Sequence, residues 1–159
     1  MSGSRSFSTS DASESPERNE VVLNLKTVQK MLPLVQQIAQ DIMARHRAIE
    51  RLQPEEERLD RKRRELDWPA RQRRYEVKEE IAKTEKELGI AVAELRELGL
   101  SVLSEVDGRI GFPTMVNNRR AYFSWAPNED TLKTWRFADE DVDRPIPPTW
   151  LKELGFAAK

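Results

Sequence analysis

The chain contains no cysteine, which excludes disulfide staples, thiolate metal sites and cysteine nucleophiles in one step. It has a single histidine, and one imidazole does not make a zinc centre. No glycine-rich phosphate loop, nucleophile elbow or dinucleotide fingerprint is present, so the sequence offers no positive sign of catalysis and no cofactor or metal is expected. No apolar run approaches the ~18 residues of a membrane span, and no apolar stretch precedes a small-residue cleavage site at the N-terminus. No membrane association is therefore expected, and a cytoplasmic location follows by default, in keeping with the absent cysteines. A charge of one sign is also missing: 35% of residues are charged, yet the net charge is only −1. Bulk electrostatic attraction to nucleic acid is not expected from such a balance.

What is present begins with a serine-rich stretch. Residues 1–20 carry seven serines with Asp11, Glu14 and Glu17, and almost nothing apolar beyond Phe7. Such a segment cannot bury enough surface to offset its ordering entropy and is expected to be a disordered tail. Its acids argue against an organellar transit peptide, while serines beside acids suit phosphorylation.

Helical periodicity dominates the next eighty residues. Asn24 is placed to cap a helix in which Val28, Val35, Ile42 and Ile49 fall seven apart. Met31, Ile38, Leu52, Leu59 and Leu66 form a companion seam broken by Arg45. Pro33 and Pro54 are expected to kink this arm. Glu55-Glu56-Glu57 would suit a new first turn after Pro54, but the unbroken heptad phase favours a bend over a reversal. The reversal is expected at Asp67-Trp68-Pro69, where Asp67 caps a second helix and Pro69 fits its first turn. At about 1.5 Å per residue, residues 33–66 rise roughly 50 Å and residues 69–99 roughly 46 Å, so the arms can pair along their length. Val77, Ile81, Leu88, Val92, Leu95 and Leu98 continue the seam, and Gly99 stands at the C-cap. Each buried Leu, Ile or Val contributes about 1.5 to 3 kcal/mol.

After Gly99 the vocabulary is that of strands. Residues 100–106, 109–112, 115–116 and 119–125 are expected to be strands, with Asn117-Asn118 as a tight hairpin turn. Pro127-Asn128-Glu129-Asp130 turns the chain into a further strand over residues 132–137. Pro145, Pro147 and Pro148 precede a short helix over residues 149–154 in a tail expected to cross the sheet. The fold expected is thus α+β: a coiled-coil-like antiparallel helical hairpin over residues 21–99, then a small antiparallel β-meander over residues 100–159, as one unit.

Three groups of residues carry candidate chemistry. His46 lies beside the seam with Asp41 and Glu50 nearby, as an interfacial histidine or a lone general base. The hairpin tip gathers Arg61, Lys62, Arg63, Arg64, Arg71, Arg73 and Arg74 around Trp68. That set could contact RNA phosphates and stack on bases, although a solvated coiled-coil end with intrahelical ion pairs is the favoured reading. On the meander, Arg120 and Arg136 beside Trp125 and Trp135 could line an anion or small-molecule site, although alternating aromatics also make an ordinary core. Asp139, Glu140, Asp141 and Asp143 form an acidic loop without calcium-loop spacing and its central glycine.

Met31-Leu32-Pro33-Leu34-Val35, Leu98-Gly99, Gly108-Arg109-Ile110-Gly111-Phe112-Pro113, Arg119-Arg120-Ala121-Tyr122-Phe123-Ser124-Trp125 and Arg144-Pro145-Ile146-Pro147 together resemble the bacterial family named domain of unknown function 2203. The resemblance covers roughly residues 23–150, and Asp67-Trp68-Pro69-Ala70-Arg71 is similar to a planctomycete-like branch. It implies the fold and no activity. Relatives often place a histidine where Arg136 stands and an acid where Gly111 stands; a site using those groups would be missing here. The leading functional expectation is a non-enzymatic interaction or structural module forming a homodimer through the hairpin seam, since a second copy would cover the apolar stripe. RNA or ribosome contact by the tip, and ligand binding at the sheet, are the alternatives.

Overall fold

A computed structural model describes residues 22–151. The tail expected over residues 1–20 and the end of the helix expected over residues 149–154 lie outside the described residues. Helix α1 spans Leu25–Arg61 and α2 spans Trp68–Glu97. Strands β1 (Ser101–Ser104), β2 (Arg109–Val116), β3 (Arg119–Trp125), β4 (Thr134–Phe137) and β5 (Arg144–Pro145) follow, then the short helix α3 (Pro148–Leu151). The two long helices pair as a hairpin, and the strands form one antiparallel sheet in sequence order.

The hairpin forms where capping chemistry allows. Asn24 Oδ1 accepts from the Thr27 amide at 2.9 Å to start α1, and Asp67 Oδ1 accepts from the Ala70 amide at 3.0 Å to start α2. Gly99, at φ 86°, supplies the left-handed residue after the end of α2. Helix α1 passes through both prolines. Pro33 and Pro54 are exposed, so the carbonyls they leave without a donor face water. The first arm ends at Arg61, five residues before the expected Leu66. A turn closed by the Glu65 amide donating to Lys62 O at 2.8 Å makes the crossing, and it removes the clustered cations at 61–64 from helical i, i+3 repulsion.

The deepest stripe of α1 contains the expected Val28, Val35, Ile42 and Ile49 but adds Leu25, Leu32 and Ala39 in place of the expected companion seam. Leu25, Val28, Leu32, Val35, Ala39, Ile42 and Ile49 are buried, whereas Met31, Ile38, Leu52, Leu59 and Leu66 are only half-buried. Two partners account for this. On one flank α1 meets α2, with Arg45, the break in the seam, reaching Glu87 at 3.1 Å. On the other flank Leu25, Leu32 and Ala39 join a single core with Ile110, Phe112, Ala121, Phe123 and Trp125 of the sheet.

In the sheet, β2 runs unbroken through Pro113, merging the segments expected at 109–112 and 115–116. Pro113 O accepts from the Leu23 amide at 2.8 Å, so its backbone faces the edge beyond the end of β1 and its missing N–H removes nothing from the β2–β3 ladder. Asn117 and Asn118, at φ 53° and 63°, make the two-residue turn that the sequence signals. Arg144 and Pro145, expected in a tail, pair with Trp135 and Thr134 as the fifth strand.

Gly108 has φ +68°, and a Cβ there would meet Met43 Cγ at 2.7 Å and Sδ at 2.8 Å. Gly108→Ala is expected to lower unfolding free energy by about 1–3 kcal/mol. Gly89→Ala, in an open α2 position with nothing within 4 Å, is expected to raise it by about 0.5–1 kcal/mol. Urea denaturation of both variants checks the pair.

Candidate functional site

The far end of the hairpin divides its cations into two sets. Arg73 is held by Glu55 through two hydrogen bonds, Nε to Oε2 at 2.7 Å and Nη2 to Oε1 at 2.8 Å. Arg74 Nε donates to Asp60 Oδ1 at 2.7 Å, and Lys78 Nζ donates to Asp60 Oδ2 at 3.0 Å and Glu56 Oε2 at 3.2 Å. These contacts cross from α2 to α1 and lock the distal helices in register. Hydrogen bonds from Arg74 and then Lys78 hold the Asp60 carboxyl below its ordinary pKa, and the Arg73 hydrogen bond does the same for Glu55. Reciprocally, Lys78 is raised by its hydrogen bonds to Asp60 and Glu56.

The second set is different. Arg61, Lys62, Arg63, Arg64 and Arg71 are exposed and make no side-chain ion pair among the described residues. The turn places the first four together, and Arg71 follows in the first turn of α2. Trp68 is 67% exposed and Tyr75 65% exposed on the same end of the molecule. Of the eight sequence candidates for nucleic-acid contact, six (Arg61, Lys62, Arg63, Arg64, Trp68 and Arg71) thus present themselves to solvent, while Arg73 and Arg74 are engaged within the hairpin.

The sheet does not bring the four candidate anion ligands together. Strand alternation puts Arg120 and Arg136 on the outer face, and turns Trp125 and Trp135 into the core. Trp125 is fully buried, its indole N–H donating to Glu129 O at 3.2 Å. Trp135 packs edge-on to Phe137, with centroids 4.8 Å apart, and at a tilt to Trp150 at 5.5 Å.

The outer face holds a polar network to which the sequence reading assigned no role. Arg109 Nη1 donates to the Ser124 hydroxyl at 2.9 Å and Nη2 to Glu129 Oε2 at 2.8 Å, with Asp107 at 3.5 Å. Arg136 Nε donates to Asp143 Oδ1 at 2.8 Å. The available signal was alternation: Arg109 and Ser124 occupy outward positions of two strands whose inward positions are apolar. This network fastens the 126–133 and 138–143 loops onto the sheet.

The acidic loop is committed to arginines. Asp139 pairs with Arg119 at 3.2 Å, and Glu140 with Arg144 at 2.9 Å. Among the described residues no group of three or more His, Asp or Glu side chains is placed to hold a metal ion. His46 Nδ1 lies 3.2 Å from Glu105 Oε1 and Nε2 lies 3.2 Å from Glu50 Oε2, bridging α1 to the β1–β2 turn; Asp41 is exposed and takes no part.

A two-helix arm thus stands on a five-stranded antiparallel meander, with exposed cations at its far end. The family described as "Uncharacterized conserved protein (DUF2203)" matches residues 22–144, and the chain belongs to that family. No curated protein and no solved structure matches it.

The carboxyl signals of Asp60 and Glu55, followed by NMR, are expected to titrate below the ordinary carboxylate range. A depressed native pKa makes their contribution to stability present above the ordinary value and lost as pH falls through the native one. Acidification should therefore loosen the distal hairpin first, and Asp60→Asn should remove the pH dependence carried by that residue.

Proposed function

We propose that the chain is a non-enzymatic interaction module that uses the free end of its helical hairpin to hold a phosphate-rich partner, most simply RNA. The observation that carries this reading is the partition of the tip cations. Between positions 58 and 78 the chain has nine basic and four acidic residues, against a net charge of −1 for the whole. Positive charge is concentrated at one end and offset elsewhere. Asp60, together with Glu55 and Glu56 just before this window, holds Arg73, Arg74 and Lys78, while Arg61, Lys62, Arg63, Arg64 and Arg71 are exposed at the same end as Trp68 and Tyr75. Cations supply phosphate attraction, and exposed aromatic faces supply stacking on unpaired bases, worth about 1–3 kcal/mol per base.

Self-association through the seam has less surface to use than the sequence implies. Sheet and α2 together bury the basal stripe of α1, with Val28, Val35 and Ile42 fully enclosed. A homodimer that used the distal groove beside Leu52 and Val77 would meet a rim that includes Arg51, Arg73, Glu76 and Lys83. Such a rim favours water over an apolar interface.

Replacing Arg61, Lys62, Arg63 and Arg64 together by Glu is expected to abolish retention of single-stranded RNA in a low-salt binding assay. Trp68→Ala should weaken it by about 1–3 kcal/mol at every salt concentration. Arg73→Gln should leave RNA binding nearly unchanged while loosening the distal helices. Equal losses from Arg73→Gln and from the unpaired cations would contradict the reading.

A further inference from the structure

Three of the four tryptophans are put to use by the fold. Trp125 and Trp135 are buried, and Trp150 packs against Trp135 and Phe123. Trp68 is different: it is 67% exposed, and among the described residues its ring makes no aromatic or cation–π contact and its indole N–H no hydrogen bond. Tyr75, 65% exposed, stands in the same condition. A large aromatic left in water forfeits the stabilisation that burial would bring, and here no intramolecular contact makes good the loss. Both rings are free to meet a partner.

Their placement is set by the helix. Seven residues are close to two turns, so Trp68 and Tyr75 share one face of α2, about 10.5 Å apart along its axis. Arg71 and Gln72, both exposed, stand one turn along, between the rings. The opposite face is the one the hairpin uses, with Val77 and Ile81 buried and Arg74 bound to Asp60. Glu79, also exposed, is the next residue on the aromatic stripe, and its charge opposes phosphate beyond that point. At the other end the turn delivers Arg61, Lys62, Arg63 and Arg64 ahead of Trp68. The stripe thus offers two stacking faces, a guanidinium between them and a cationic turn at one end.

On the strength of the RNA reading of the tip, on which this step rests, we infer that the ligand is a single-stranded stretch of RNA laid along α2. One base stacks on Trp68, a second on Tyr75, and Arg71 holds the phosphates between. Successive bases of a stacked strand lie about 3.4 Å apart, so the two rings span about three base steps and a stretch of about four nucleotides occupies both. A duplex stacks its base faces against each other and presents the rings with nothing but its ends, so it meets the cations alone. The paired aromatics therefore confer a preference for unpaired over paired RNA that a cationic turn lacks. That preference tolerates any sequence, since every base has a face to stack.

The test is fluorescence anisotropy of a labelled oligouridylate dodecamer and of a blunt twelve-pair RNA duplex, each titrated at low salt with the full-length protein and its variants. The dodecamer is expected to bind about tenfold or more tighter than the duplex. Trp68→Ala and Tyr75→Ala should each weaken binding of the dodecamer about tenfold and leave the duplex unchanged, which also reports that fold and cations are intact. Tyr75→Phe, which keeps the ring, should bind both ligands as the native chain does. A duplex held as tightly as the dodecamer, a Tyr75→Ala variant with native affinity for the dodecamer, or equal losses on both ligands would overturn the inference while leaving the cationic tip as an RNA contact. Absence of binding to either ligand would overturn it together with the reading on which it rests.

Discussion

The structure depends on the width of one apolar face. Helix α1 buries residues spaced alternately three and four apart from Leu25 to Ile42, a band broad enough to meet two partners at once. α2 takes one flank and the sheet takes the other, so Val28, Val35 and Ile42, along the middle, lose all contact with water. Each such side chain contributes about 1.5–3 kcal/mol on burial, and the sheet, which could not hide its own inner aromatics, gains its cover from the same helix. Neither half would be closed without the other.

Beyond Ile49 the sheet no longer reaches the hairpin, and the means of cohesion change. Val77 is still buried there and Leu52 and Leu59 half-buried, but the register is set by Arg73, Arg74 and Lys78 bridging to Glu55, Glu56 and Asp60. Exposed ion pairs of this kind add little stability one by one. Their contribution is positional: they commit specific cations to the helix interface and leave a defined remainder for outside contact. A tip made of unpaired cations alone would repel itself, so the braced set is what makes the free set tolerable.

The fold was largely legible because period, cap and turn signals agree at each step. Asp67-Trp68-Pro69 marks the reversal, Asn117-Asn118 the hairpin, and Gly99 the exit from α2. What was not legible follows from tertiary contact. The buried flank Leu25, Leu32 and Ala39 is indistinguishable by periodicity from the flank Met31 and Ile38 until the position of the sheet is known. Pro113 splits a strand in any local reading, since whether its missing donor matters depends on which edge it faces. The candidate ligands on the sheet failed to converge because residues chosen for type ignored strand parity: Arg120 and Arg136 are even-numbered and outward, Trp125 and Trp135 odd-numbered and inward. The grouping of the tip cations was the most legible, because a turn keeps sequence neighbours together in space.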